Sequence, residues 1–208
     1  LKNRDERIRT RVRQNGSVVL KDDSVEKNLP FKSHPGPDYS GLPLDRYFSM
    51  LEMPNVMHRM WSDFRWNKLI LAHGCYWKKC TFCDVSLDYI ARFEPQKATQ
   101  LVDQIERVIE QTGTTGFHFV DEAAPPALLR QISTEILKRK LKVTWWGNIR
   151  FDSQFDDELT TLMADAGCVA VTGGLEVASP RILKLINKGL TIEQTMTVTK
   201  AFKRAGIY

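Results

Sequence analysis

The 208-residue sequence has no apolar run approaching the roughly 18 to 20 residues that a membrane span needs. Its N-terminus also lacks the apolar stretch of a secretory signal, so no membrane or targeting segment is expected and the location is read as cytoplasmic. Cysteine is scarce. Four thiols make a poor disulfide framework in a reducing compartment, where a tight group of them more often binds metal or does redox chemistry. A large charge imbalance is missing as well. The formal net charge is +5, and residues 1 to 14, "LKNRDERIRTRVRQ", hold six Lys or Arg against two acids. The remaining chain is nearly neutral, so this segment reads as a solvated helix or tail, and it alone leaves a nucleic-acid partner open.

With 42% apolar and 26% charged residues, the chain can bury one good core but is too short for two large domains. It begins with Leu rather than Met, which raises the expectation of a piece of a longer protein. Residues 1–60 read as a basic segment followed by a Pro/Gly-rich connector, with Pro30, Pro35, Gly36, Pro37, Gly41 and Pro43. Phe31, Tyr39, Tyr47, Phe48, Trp61, Phe64 and Trp66 argue against full disorder, because disordered segments are poor in aromatics. The connector is expected to drape over the following domain and anchor through those rings.

Residues 61–208 read as the main domain, built from alternating elements. The run "KLILAH" (68–73) predicts a buried strand leading into a cysteine loop. Ala98, Leu101, Val102, Ile105, Val108 and Ile109 then recur at helical spacing, with Pro95 suited to the first turn. Strands follow at 116–122, 141–147 and 168–174, separated by amphipathic helices, and a last helix precedes "IY", which could open one more strand. Alternation of this kind means parallel pairing, in an open sheet or a barrel, with chemistry collected at the C-terminal strand ends. That rule gathers the "HGC" loop, Asp121, Glu122, Asn148, Arg150, Gly173, Gly174 and Glu176 on one rim. Trp145 and Trp146 either wall that rim or pack in the core.

The loop "HGCYWKKCTFCDV" (73–85) carries Cys75, Cys80 and Cys83. Cys168 stands apart in the apolar "AGCVAVTGG" and reads as a buried small hydrophobe. Three thiolates with His73 could make a Cys3His zinc site, whereas three thiolates with one open iron suit a [4Fe–4S] cluster. His73 also reads as ordinary hydrogen-bonded packing, so both metals stay open on spacing.

"GCYWKKCTFC", "FVDE" and "GGLEVASPRILKLINKGLT", in that order, resemble the radical S-adenosylmethionine superfamily. They are most similar to its branch of methylthiotransferase-like and cobalamin-binding members. The resemblance covers residues 67 to 208 and departs in one respect: the family's usual C-x3-C-x2-C is C-x4-C-x2-C here. It implies an α/β fold, a partial parallel (β/α) barrel. Because this chain has sequence for only four strands and the start of a fifth, it also implies a core truncated at its C-terminus.

The resemblance makes Cys75, Cys80 and Cys83 ligands of a [4Fe–4S] cluster, and it places Phe82 beside the adenine of S-adenosylmethionine. Asp121 and Glu122 correspond to the motif that receives the methionine amino group, Glu176 after Gly173 and Gly174 to the acid on the ribose, and Ser179 and Arg150 to candidates for the methionine carboxylate. The implied chemistry is reductive cleavage of S-adenosylmethionine to a 5'-deoxyadenosyl radical acting on an unknown substrate. An electron donor such as a flavodoxin or ferredoxin is the implied partner. Cobalamin is a further implied cofactor, held by an upstream domain absent from this chain. Two alternatives from other classes are a zinc-stabilised, non-enzymatic interaction module and an RNA-modifying, methylthiotransferase-like enzyme.

Overall fold

A computed structural model of the chain describes residues 10–21, 30–46 and 66–208. The chain divides into two compact units, Leu1–Pro30 and Phe31–Tyr208. In the first unit Thr10–Gln14 (β1) and Ser17–Lys21 (β2) pair antiparallel, Arg11 opposite Leu20 and Val12 opposite Val19. Asn15 and Gly16 form the turn with φ of 50° and 82°, the left-handed pair that a type I′ hairpin requires. From Thr10 onward the basic segment is therefore a hairpin strand, not the helix or tail expected. Val12 alternates with Arg11 and Arg13, which suits a pleat better than a helix. Residues 1–9 lie outside the described residues.

The second unit is built on a parallel sheet. Its strands are Trp66–Leu69 (β3), Gly116–Phe119 (β6), Thr144–Ile149 (β7) and Cys168–Gly173 (β8), in the order β3-β6-β7-β8. Two short strands, Ala72–His73 (β4) and Glu94–Pro95 (β5), form an antiparallel pair between β3 and β6 in the chain. The helices are Asp88–Ala91 (α1), Ala98–Thr112 (α2), Pro126–Lys138 (α3), Asp157–Asp165 (α4), Pro180–Leu185 (α5) and Ile192–Arg204 (α6). The expected α/β alternation with parallel pairing is what the structure has.

The helices form where the apolar spacing and the end signals agree. Helix α2 buries Leu101, Val102, Ile105 and Val108 and stops at Gly113, whose N–H bonds the Ile109 carbonyl. At the start of α4 the Asp156 carboxylate accepts from the Leu159 N–H at 2.8 Å, and at α6 the Thr191 hydroxyl accepts from Gln194 at 3.0 Å. Across the sheet, Phe117, Trp145 and Cys168 stand in one register row within the core. Lys68, His118, Trp146 and Ala170 form the next row, which faces the other way. Trp145 is thus core, its indole N–H donating to the Ala166 carbonyl at 3.0 Å, while Trp146 stacks on His118 with centroids 3.6 Å apart.

Two sequence expectations change here. The strand read at 68–73 ends at Leu69 and resumes as β4, because the Asp121 carboxylate takes the Leu71 and Ala72 N–H groups at 3.1 and 2.8 Å in place of ladder partners. Pro95 does not start a helix: it pairs with Ala72 in β5, Gln96 then donates to the Leu71 carbonyl, and α2 begins at Ala98. At the other end Tyr208 donates to the Val169 carbonyl and accepts from the Val171 N–H, so "IY" lies hydrogen-bonded along β8, but no strand forms there and β8 is the last strand of the sheet.

The connector packs where two of its rings were expected to hold it. Phe31 lies 5.7 Å from the His73 ring, and its N–H donates to Glu94. The Tyr39 hydroxyl accepts from the Lys68 N–H at 3.1 Å, covering a donor on the sheet's edge strand. Tyr47, Phe48, Trp61 and Phe64 lie outside the described residues.

Candidate functional site

The C-terminal ends of the parallel strands form one rim, and the loop from Gly74 to Val85 crosses it. The Cys75, Cys80 and Cys83 thiols are free and half-buried there. Burial pushes the Cys80 thiol up, the Lys188 ammonium and Arg150 guanidinium oppose that, and Cys83 and Cys75 push it up further, so the three thiols sense one another. Among the described residues no group of three His, Cys, Asp or Glu side chains is placed to hold a metal ion. The His73 ring lies against Phe31, and Cys168 is buried in the core.

The loop is locked from beneath. The Trp77 indole N–H donates to the Asn187 carbonyl at 2.9 Å, and the Thr81 N–H donates to the Ile186 carbonyl at 3.0 Å. Gly189 has φ +69° and no room for a side chain: a Cβ there would stand 2.0 Å from the Trp77 ring. On the Trp77 ring sits the Arg150 guanidinium, 4.1 Å from the centroid. Arg150, only 4% exposed, also donates to the Lys188 carbonyl at 3.0 Å and pairs with Asp152, which accepts from the Tyr76 hydroxyl. The end of β7, the α5–α6 turn and the cysteine loop are therefore tied together by direct contacts. Lys78 adopts φ +54° inside the Cys75–Cys80 segment, a left-handed residue within the stretch that is one residue longer than the usual spacing.

Each residue expected at the rim has a definite place. Phe82 is 54% exposed, with the Lys188 ammonium 5.5 Å from its ring centroid. Glu176 has φ +68° and pairs through Oε1 with Lys188 Nζ at 2.8 Å. Gly173 and Gly174 are exposed, and a Cβ at Gly174 would fall 2.5 Å from that Glu176 oxygen. Ser179 precedes α5 and accepts from the Leu183 N–H with its carbonyl. Glu122 is exposed, whereas Asp121 is 2% exposed and turned into the β3–β4 bend. The structure thus sets Cys80 within electrostatic reach of Cys75 and Cys83 and places Phe82 and Glu176 against Lys188, and it commits Asp121 and Arg150 to the scaffold.

Trp77, Lys188 and Gly189 were not singled out from the sequence. For Gly189 the signal was present in "NKGLT", where a Gly just past a short helix marks a backbone that needs φ > 0.

Comparison with known proteins gives the same outline. The family model for the radical SAM superfamily matches residues 69–208. The chain is 26% identical over 176 residues to an uncharacterized methyltransferase of Pyrococcus horikoshii, covering 84% of this chain and 35% of that protein. It is 32% identical over 167 residues to the anaerobic magnesium-protoporphyrin IX monomethyl ester cyclase of Rubrivivax gelatinosus, covering 71% and 29% respectively. The solved structure of the cobalamin-dependent S-adenosylmethionine radical enzyme OxsB with aqua-cobalamin bound superposes with a TM-score of 0.60 at 22% identity, over 67% of this chain and 22% of that one. The chain spans about a third of the length of the curated relatives it matches. Among the described residues no helix is long and apolar enough to cross a membrane.

Proposed function

The chain belongs to the radical SAM superfamily, whose partial β/α barrel its parallel sheet forms, and from that premise we propose that its rim holds a [4Fe–4S] cluster with S-adenosylmethionine beside it. The observation that carries this reading is the cysteine loop itself: three free thiols fixed by the Trp77–Arg150–Gly189 lock beside two cations. Cys75, Cys80 and Cys83 supply the thiolates. Lys188 and Arg150 oppose the upward push of burial on the Cys80 thiol and so favour its ionised form, which ligation needs. Bound there, the two cofactors would supply reductive cleavage of the sulfonium to methionine and a 5'-deoxyadenosyl radical.

The chain's own residues orient and shield. The exposed face of Phe82 offers a stacking surface for the adenine, and Glu176 keeps its Oε2 for the ribose hydroxyls. Of the two acids expected at the methionine amino group, Asp121 is engaged by backbone amides, so Glu122 takes that role. The whole protein's reaction is proposed as methyl transfer with cobalamin held outside this chain, supported by the relatives' printed activities. An external one-electron donor completes the proposal. Free thiols throughout suit a reducing, cytoplasmic compartment.

The test is anaerobic reconstitution followed by iron and sulfide analysis and electron paramagnetic resonance of the reduced protein. About four irons per chain are expected, with a signal that shifts on adding S-adenosylmethionine. A spectrum unchanged at saturating S-adenosylmethionine would overturn the proposal.

A further inference from the structure

The electron that the proposed chemistry consumes comes from outside the chain, so a carrier must reach the cysteine loop by a surface the cofactor does not cover. The end of α5 abuts that loop. Thr81, next to Cys80, donates its N–H to the Ile186 carbonyl, and the Trp77 indole donates to the Asn187 carbonyl. Lys79, on the other side of Cys80 in the chain, is exposed and lies over the Trp77 ring at 5.0 Å.

Arg181, Lys184 and Leu185 stand three and four residues apart on α5, hence on one face, and all three are exposed. Leu185 leaves 68% of its surface in water. Among the described residues neither Lys79, Arg181 nor Lys184 has a carboxylate in ion-pair range, whereas Arg130, Arg139 and Arg204 on other helices are each paired. Of the exposed acids nearby, Asp84 is turned to Ser86 in its own loop, and Glu193 lines a groove of about 400 Å³ that runs from Lys184 past Asn187 and Gly189. Cations left unpaired around a bare leucine contribute nothing to stability. They are what a brief contact with an acidic protein uses: complementary charge to steer the encounter and a small apolar centre to seat it. A nucleic acid would meet the cations and leave the leucine bare.

We infer that the Arg181–Lys184–Leu185 face of α5, with Lys79 of the cysteine loop, is the docking surface for an acidic one-electron carrier protein. This rests on the cofactor reading above and names the partner's place. In the step served, the carrier is oxidised by one electron and the cluster reduced by one, and no atom crosses the interface. The contact is small and short-lived, as electron-transfer encounters are, so it acts on the rate of reduction and not on cluster binding.

The experiment follows bleaching of the cluster in the anaerobically reconstituted chain at low ionic strength, with a reduced flavodoxin of net negative charge and, separately, with dithionite. Arg181→Glu combined with Lys184→Glu should slow the flavodoxin reaction by about 10-fold or more and the dithionite reaction by less than about threefold. The gap should close as salt rises above about 0.5 M. Lys138→Glu combined with Lys142→Glu makes the same change of net charge at the end of α3 and before β7, away from the rim, and should leave both rates within about threefold. The neutral pair Arg181→Gln with Lys184→Gln should show a smaller loss of the same salt dependence, and it decides if the reversed pair takes up no cluster. Equal slowing with both reductants would make α5 a mere support of the loop, and equal slowing by the distant pair would leave only net charge at work; either overturns the docking surface. So would an unchanged flavodoxin rate in a chain whose cluster forms and responds to S-adenosylmethionine, and that result would leave the cofactor reading standing. Failure of the unsubstituted chain to form a cluster would overturn the cofactor reading and the docking surface with it.

Discussion

The helix-facing side of the parallel sheet and the C-terminal rim of the same strands are built on opposite principles. On the helix side Phe117, Phe119, Trp145 and Leu69 meet Ile105, Ile132, Leu159 and Met163, all at or near zero exposure, and the one indole donor in the row is satisfied. At the rim the side chains are charged or reactive, and left-handed backbones gather: Lys78, Glu176 and Asn187 are three of the five non-glycine residues with positive φ among the described residues. Apolar burial stabilises the first region and is tolerant of where each methyl lies. The second is held by a few mutually dependent contacts, a condition under which strained groups persist. The division predicts that substitutions in one region leave the other's property intact.

The largest expected effect is on the rim. Cys75→Ala, Cys80→Ala or Cys83→Ala should each remove most of the iron from reconstituted protein, while Cys168→Ala should remove none. Cys168 sits in the core with its thiol pushed well up by burial, which is the behaviour of an inert hydrophobe and not of a ligand. An equal need for Cys168 would erase the distinction between the regions.

The converse substitution is Trp145→Ala. It should cost about 3 to 5 kcal/mol of stability, read by chemical denaturation, with the S-adenosylmethionine response per bound cluster unchanged. Gly189→Ala should do the reverse. Its left-handed backbone adds about 1 kcal/mol of strain, yet its Cβ meets the Trp77 ring, so cluster retention should fall severalfold. In a Trp77→Ala background the same change should do little more to retention. Additive losses would mean that Gly189 matters for its backbone alone.

How far the sequence revealed this depends on which region is read. The sheet, its order of elements and the burial of Cys168 follow from apolar periodicity, which averages over many residues and survives an error at any one. The cysteine loop proposed to hold the cluster stood out because its spacing is local. What escaped is non-local. The bend after Leu69 is imposed by Asp121, 50 residues later, and no pattern within "KLILAH" announces it. The partner of Trp77 lies more than 100 residues away at Asn187, so the lock exists only once the rim is assembled. The hairpin at Thr10–Lys21 was a different omission: the Asn15–Gly16 turn signal was present, and the weight given to charge concealed it.

The smallest effect tests the residue that belongs to both regions. Asp121 ends a core strand at the rim, and burial pushes its carboxyl up to about 6, outweighing the Leu71 and Ala72 amides that favour the ionised form. A folded value above the unfolded one, about 3.9 for Asp, means that folding favours the protonated acid. Its contribution is complete below about pH 4, declines as pH rises through about 6, and stays lost above that, a span on the order of 2 to 3 kcal/mol. Asp121→Asn keeps one oxygen for the two amides and carries no charge at any pH, so unfolding free energies measured from pH 4 to 7 should lose that slope. A slope that survives would assign the titration to another group. Because Oδ1 and Oδ2 face Leu71 and Ala72, the same variant should bind S-adenosylmethionine within about threefold of the unsubstituted chain. A loss beyond that would return Asp121 to the methionine amino group and join the two regions that the structure keeps apart.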